Sequence, residues 1–326
     1  MRLLKLVPDD TNIDFLKWRK LASAMSFILV AISIALVAVK GLNLGVDFVG
    51  GQSVRVEFPQ AMPPIDEIRE KVSHIGLGEP TIQQFGSDKA VSIRTALPEG
   101  DKTVADRAGK QLVAGIQKAF PGAHTGSVET VSGKVSGELI STGALSLALA
   151  MLGISIYIWI RFEWQFGVGA LGRLFHEVAL TFGFFAVTQL QFDLNSIAAL
   201  LTIVGYSLND TIVVYDRVRE NLKKYRKMEI VPLLNLSINE TLSRTVMTSV
   251  SVLLALGMLL IFGPDVIFGF TAAMLFGVFV GTYSSILMST PVLVWLKVGP
   301  HSFVPRTSAA SEGAERVQRK DDGAVV

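Results

Sequence analysis

The sequence predicts an α-helical polytopic membrane protein with six transmembrane helices and a small α+β, ferredoxin-like domain between helices 1 and 2. Three observations carry this. Half of the 326 residues are hydrophobic and only 18% are charged, against about a quarter in soluble domains, and the mean hydropathy is +0.47. Six stretches stay apolar over about 20 residues, the length that crosses a hydrocarbon core. Between the first two lies a segment whose apolar residues instead repeat with strand and helix periods.

Residues 1–20 form a basic arm containing Arg2, Lys5, Lys17, Arg19 and Lys20. The first span, LASAMSFILVAISIALVAV, occupies residues 21–40 with its closing lysine. It is longer than the apolar core of about 7–15 residues in a cleaved signal peptide, and no A-x-A site follows it. Residues 41–137 read as the extramembrane domain. QSVRVEF alternates, with Val54, Val56 and Phe58 on one face, as a strand does. PPIDEIREKVSHI sets Ile65, Ile68, Val72 and Ile75 at helical spacing, and Gly76 and Gly78 end it. TIQQF and AVSIRT flank the turn GSDK as a hairpin. DKTVADRAGKQLVAGIQKAF places Val104, Leu112 and Ile116 on a helical face, and SVETV reads as a last strand. The order strand, helix, strand, strand, helix, strand is that of a ferredoxin-like unit.

Residues 138–298 hold the five further spans, at about 139–160, 166–188, 193–215, 245–262 and 266–296. Lysine and arginine orient them: the arm, the run Arg217, Arg219, Lys223, Lys224, Arg226, Lys227 and Arg244, and Arg306, Arg316, Arg319 and Lys320 share one side, while QLQF and GPDV carry none. Both termini are therefore expected in the cytoplasm and residues 41–137 outside. The tail, 299–326, has a composition that suits disorder.

The absence of cysteine excludes disulfides, thiolate metal sites and cysteine nucleophiles. HEVAL starts like a zinc motif but has Leu at position 180. GVGALG (167–172) matches a dinucleotide fingerprint but opens an apolar span and follows no strand. No catalytic constellation, metal site or cofactor is expected, and no nucleic-acid partner.

The polar residues inside the spans are the candidate functional groups. In the fourth span Thr202, Tyr206, Asn209, Asp216 and Glu220 share one stripe, with Ser207, Asp210 and Arg217 on the next; Leu201, Val204, Leu208, Ile212 and Tyr215 take the other side, read here as the lipid face. A charge at mid-span costs about 2.5–3.5 kcal/mol on insertion scales, so Asp210 marks either a proton or ion site or a structural carboxylate paired to an arginine. In the third span Arg173 and Glu177, at i,i+4, are able to pair. His176 reads equally as a proton relay or as a histidine bonded between helices. Arg244, with Thr248 a turn on, opens the fifth span and needs an acidic or carbonyl partner, which Asp210 or Glu177 could supply. Ala273, Gly277, Gly281, Ser285 and Ser289 recur every four residues as a seam for close helix packing. Gly50 and Gly51 let the chain turn into the first strand, and Asp47 reads as a cap of that turn.

GLNLGVDFVGG (41–51), RFEW (161–164), VGYSLNDTIVVYDRVREN (204–221) and TLSRTVMTS (241–249) resemble, in this order, the SecD/SecF protein-export family, which is of the resistance-nodulation-division type of proton-driven transporters. The likeness is to the six-span SecF half and runs to about Gly299. It implies an accessory subunit of the Sec translocase in the bacterial inner membrane that uses the proton-motive force for late steps of export. It further implies SecD as obligate partner, the SecYEG channel, YajC as a further candidate, contact with the translocating preprotein, and protons as the coupling ion. It carries the coupling carboxylate onto Asp210 and its basic partner onto Arg244, in a cycle where protonation from outside weakens that pairing and shifts a helix. Two departures stand out: His176-Glu177 replaces the family's His-Asp, and Gly133-Lys134 replaces its Gly-Pro. The rival readings are a half-transporter for lipids or small molecules and a non-energised scaffold of the translocon.

Overall fold

A computed structural model describes residues 7–8, 11–84, 89–98 and 102–299. The expected tail from residue 300 on, most of the turn GSDK and the first residues of the arm lie outside them. Among the described residues six helices are long and apolar enough to cross a membrane, and a four-stranded sheet domain sits between the first and second.

A 3-10 turn, Phe15–Trp18, runs into α1, Arg19–Lys40. The segment before it is pinned to a distant helix: Asn239 accepts from the Ile13 amide at 2.9 Å and Asn235 from the Leu16 amide at 3.0 Å. The short helix α2, Val46–Val49, then leads into the sheet domain. Its elements are β1, Gly51–Glu57; α3, Ile65–Ser73; β2, Thr81–Gln84; β3, Ala90–Thr95; α4, Lys102–Ala119; and β4, His124–Val131. The strands pair antiparallel in the order β2-β3-β1-β4, the ferredoxin-like topology that the sequence order predicts. Inward positions of alternate strand residues, Val54, Val56, Val91 and Ile93, meet Ile68, Val72, Leu112 and Ile116 from the two helices. Period-two and period-3.6 patterns thus close on one core.

The membrane helices follow as α5, Gly133–Arg161; α6, Trp164–Thr188; α7, Leu194–Lys224; α8, Ile230–Phe262; α9, Phe268–Leu287; and α10, Ser289–Trp295. Among the spans α6 and α9 are the most buried and α5 the least, so α6, α7 and α9 form the centre of the bundle. The seam on α9 faces α7: a side chain at Gly277 would lie 2.4 Å from Ile203 Cδ1.

Two expectations about the fourth and fifth helices need correction. Helix α8 begins at Ile230, well before residue 245, and α7 continues to Lys224. Both outrun the apolar window because their ends are amphipathic: Leu233, Leu234 and Ile238 bury against Val218 and Leu222, while Lys223 and Lys224 stay exposed. The faces of α7 are also exchanged. Val204 and Tyr215, read as lipid-facing, are buried in the bundle core, and Leu208 and Ile212 pack against it. The stripe of Thr202, Asn209, Asp216 and Glu220 is exposed on this chain, and only the adjacent stripe with Ser207 and Asp210 turns inward.

Candidate functional site

The polar centre of the bundle is built on α6. Arg173 and Glu177 stand one turn apart and pair at 3.0 Å with side chains 1% and 0% exposed. Burying two charges is unfavourable unless their remaining donors and lone pairs are bonded, and here α7 and α9 supply the bonds. Arg173 Nε donates to Ser284 Oγ (3.0 Å), Nη1 to the Ser207 carbonyl (2.9 Å), and Nη2 to Ser207 Oγ (2.6 Å) and the Gly281 carbonyl (2.7 Å). Glu177 Oε1 accepts from the hydroxyls of Ser207 and Ser284, both at 2.6 Å. Gly281 lines the same centre: a Cβ there would sit in van der Waals contact, 3.4 Å from Ser207 Oγ and 3.5 Å from Glu177 Oε1. Glu177 Oε2 is buried with no hydrogen-bond partner.

Asp210 lies one turn beyond Ser207 on α7 and is 5% exposed. Arg173, Arg244 and Glu177 all act on it electrostatically. Among the described residues, however, it forms no hydrogen bond and no ion pair. The expected partner, Arg244 on α8, is exposed on this chain and not within ion-pair distance of Asp210 in this conformation. The difference is one of burial: Arg244 is exposed, whereas Asp210 is buried and feels the Arg173 and Glu177 charges of α6.

The remaining predicted residues separate into two groups. His176 Nε2 lies 3.0 Å from the Tyr283 hydroxyl, ring edge to face, and its Nδ1 is buried without a partner. Asn209 is exposed, Thr248 Oγ1 donates to the carbonyls of Arg244 and Thr245 in its own helix, and Ser285 Oγ to that of Thr282. Sequence reasoning missed Ser284 and Tyr283. Both stand inside the string GTYSS, where the four-residue spacing of Gly281 and Ser285 reads as packing and hides a ligating hydroxyl one position earlier.

The segment leading out of α1 ties the sheet domain to this centre. Asn43 and Gly45 exchange main-chain bonds with Phe192, and Arg94 of β3 donates to the Leu44 carbonyl. Burial lowers the Arg94 guanidinium from its ordinary value. Gly50 and Gly51 have φ of 76° and 111°, and a Cβ at Gly51 would lie 2.6 Å from the Thr95 carbonyl, so only glycine fits. Asp47, expected to cap its own turn, instead accepts from the Leu194 amide at 3.0 Å, at the head of α7 beside the Asp193 cap. It satisfies one of the orphan amides of the helix that carries Asp210. Replacing Asp47 with Ala is expected to lower stability by about 1 kcal/mol, read as a lower Tm in detergent; an unchanged Tm would contradict that role.

The family model for the C-terminal part of the protein export membrane protein SecD/SecF matches residues 111–299, and that for the SecD/SecF GG motif matches residues 35–61. The chain belongs to the SecD/SecF family. It is 43% identical over 301 residues to the protein translocase subunit SecF of Cereibacter sphaeroides, covering 90% of this chain and 93% of that one. It is 45% identical over 305 residues to the SecF subunit of Rhodobacter capsulatus, covering 90% and 91%. Among solved structures it is similar to SecDF from Thermus thermophilus, a translocon-associated membrane protein, with a TM-score of 0.80 at 32% identity; the match covers 90% of this chain and 40% of that one. In SecD/SecF terms, the GG-motif region holds the glycine turn and the Asp47 contact, and the C-terminal region holds the whole polar centre.

Proposed function

We propose that this protein is the SecF-type accessory subunit of the bacterial Sec translocase, which with SecD uses the proton-motive force to promote late steps of preprotein export through SecYEG. Membership of the SecD/SecF family supports the export role. The observation that carries the coupling is Asp210, a carboxylate sequestered on a membrane helix with no direct partner, beside an Arg173–Glu177 pair whose bonds are largely satisfied. Such a group exchanges a proton without dismantling the surrounding packing. Its separation from Arg244 is one end of the cycle; pairing of the two is the other. One charge crossing 100 mV supplies about 2.3 kcal/mol, enough to bias two helix packings that differ by a few kcal/mol.

Exposed Asn209 on α7 and Arg244 on α8 require cover other than hydrocarbon. A SecD-like membrane half supplies it, with YajC as a further candidate. In this reading the protein lies in the inner membrane with both termini cytoplasmic, its cargo is the preprotein, its coupling ion is the proton, and it makes or breaks no covalent bond. Export of a secreted reporter in ATP-supplied vesicles containing SecYEG, SecD and this chain tests it. The stimulation by the SecD pair is expected to vanish when an ionophore collapses the gradient; undiminished stimulation would contradict the proposal.

A further inference from the structure

We propose that the end of the membrane domain remote from the sheet carries a binding site for the phosphate-bearing headgroup of an anionic phospholipid, between the C-terminus of α5 and the last turns of α7. The inference needs only that the chain spans a membrane, and it stands apart from the transport reading.

The level of the membrane surface is marked by tryptophan. The chain has four, Trp18, Trp159, Trp164 and Trp295. All four flank helix ends on the side away from the sheet: before α1, at the α5–α6 turn and at the end of α10. Each is at least half exposed. Tryptophan concentrates where acyl chains meet headgroups. Arg161, between Trp159 and Trp164, is therefore held at headgroup depth.

At that depth an open cavity of about 580 Å³ is lined by Arg161, Asp216, Arg219, Glu220, Lys223 and Lys224. The Arg161 carbonyl accepts from Arg219 Nη1 at 3.5 Å, which joins the two helices that form the walls. The carboxylates are engaged: Asp216 pairs with Arg161 at 3.5 Å, and Glu220 with Arg217 outside the cavity at 3.3 Å. Glu163 acts electrostatically on Arg219, and burial raises its carboxyl above the ordinary value. Lys223 and Lys224 form no ion pair among the described residues, and Lys224 Nζ lies 4.9 Å over the Tyr225 ring with Glu240 and Glu220 acting on it electrostatically. They leave a positive surplus in a cavity that opens at the end of α5, the helix on which Ile156, Trp159 and Ile160 are exposed. A phosphate diester above an acyl chain matches both halves. A soluble anion would use only the cations, and the tryptophan level and the exposed apolar end of α5 favour the lipid.

Native mass spectrometry of the full-length chain in detergent, titrated with phosphatidylglycerol or phosphatidylcholine in phosphate-free buffer, tests the site. Phosphatidylglycerol is expected to be retained preferentially. Each cation near an anionic surface is worth about fivefold, so Lys223→Gln with Lys224→Gln is expected to weaken retention about 25-fold. Lys223→Arg with Lys224→Arg is expected to keep it. Arg226→Gln with Lys227→Gln, on neighbouring exposed positions outside the cavity, is expected to leave it within about twofold. An equal loss in that control pair, or no loss in the Lys223 and Lys224 pair, overturns the site. In a parallel arm, inorganic phosphate that displaces the lipid at comparable concentration overturns the lipid assignment in favour of a soluble anion.

Discussion

Asp210→Asn is expected to abolish the gradient-dependent part of export while the chain remains folded and assembled. Asparagine keeps the shape and removes the titration. Asp210 has no hydrogen bond or ion pair to lose among the described residues, and a mid-span charge is itself unfavourable by about 2.5–3.5 kcal/mol. The stability change is therefore expected to be small, with a gain in Tm as readily as a loss. The functional change is large. The bias of about 2.3 kcal/mol per 100 mV corresponds to about a fiftyfold shift between two helix packings, and the variant forfeits it. Reporter export by Asp210→Asn should match the wild type under ionophore, and adding ionophore to the variant should change nothing. Wild-type export by a stably made variant would leave the scaffold reading standing.

The second large effect is on stability. Arg173→Ala removes one partner of a buried pair and leaves Glu177, fully buried, beside Ser207 and Ser284. Breaking such a pair is expected to cost about 3–5 kcal/mol. It should loosen the contact of α6 with α7 and α9 together, because one guanidinium bonds groups on both of the latter. Replacing both charges, Arg173→Met with Glu177→Leu, removes the burial penalty along with the attraction and should recover most of the loss. Denaturant unfolding in detergent separates these outcomes. A single variant as stable as the wild type would show that the pair is incidental to the bundle. Whether the double variant still responds to the gradient tests whether the pair frames the proton exchange proposed at Asp210.

Much of this architecture was legible before any coordinates. Apolar length alone located six spans, and the switch from period two to period 3.6 within residues 41–137 identified the sheet domain. The Arg173–Glu177 pair followed from i,i+4 spacing, a local property. What failed was non-local. Periodicity on α7 separates a polar stripe from an apolar one, but it is silent on whether the polar stripe turns into its own bundle or toward a second chain. Val204 and Tyr215 are apolar enough for lipid and for core alike, and the bundle uses them as core. The target of Asp47 is an amide almost a hundred and fifty positions along the chain, beyond the reach of turn chemistry. Helices α7 and α8 outran their predicted ends because the apolar stretches stop at Tyr215 and resume at Thr245, while the backbone continues wherever Leu222 and Leu233 still have each other to pack against.

The central claim is that Asp210 gains and loses a proton during the working cycle. Infrared difference spectroscopy of the reconstituted complex, comparing wild type with Asp210→Asn as the outer side is acidified, tests it most directly. A carboxylic acid band that grows with acidification and is missing from the variant is the predicted result. A spectrum in which wild type and variant are the same throughout, with the aspartate ionised at every pH that supports export, would contradict it.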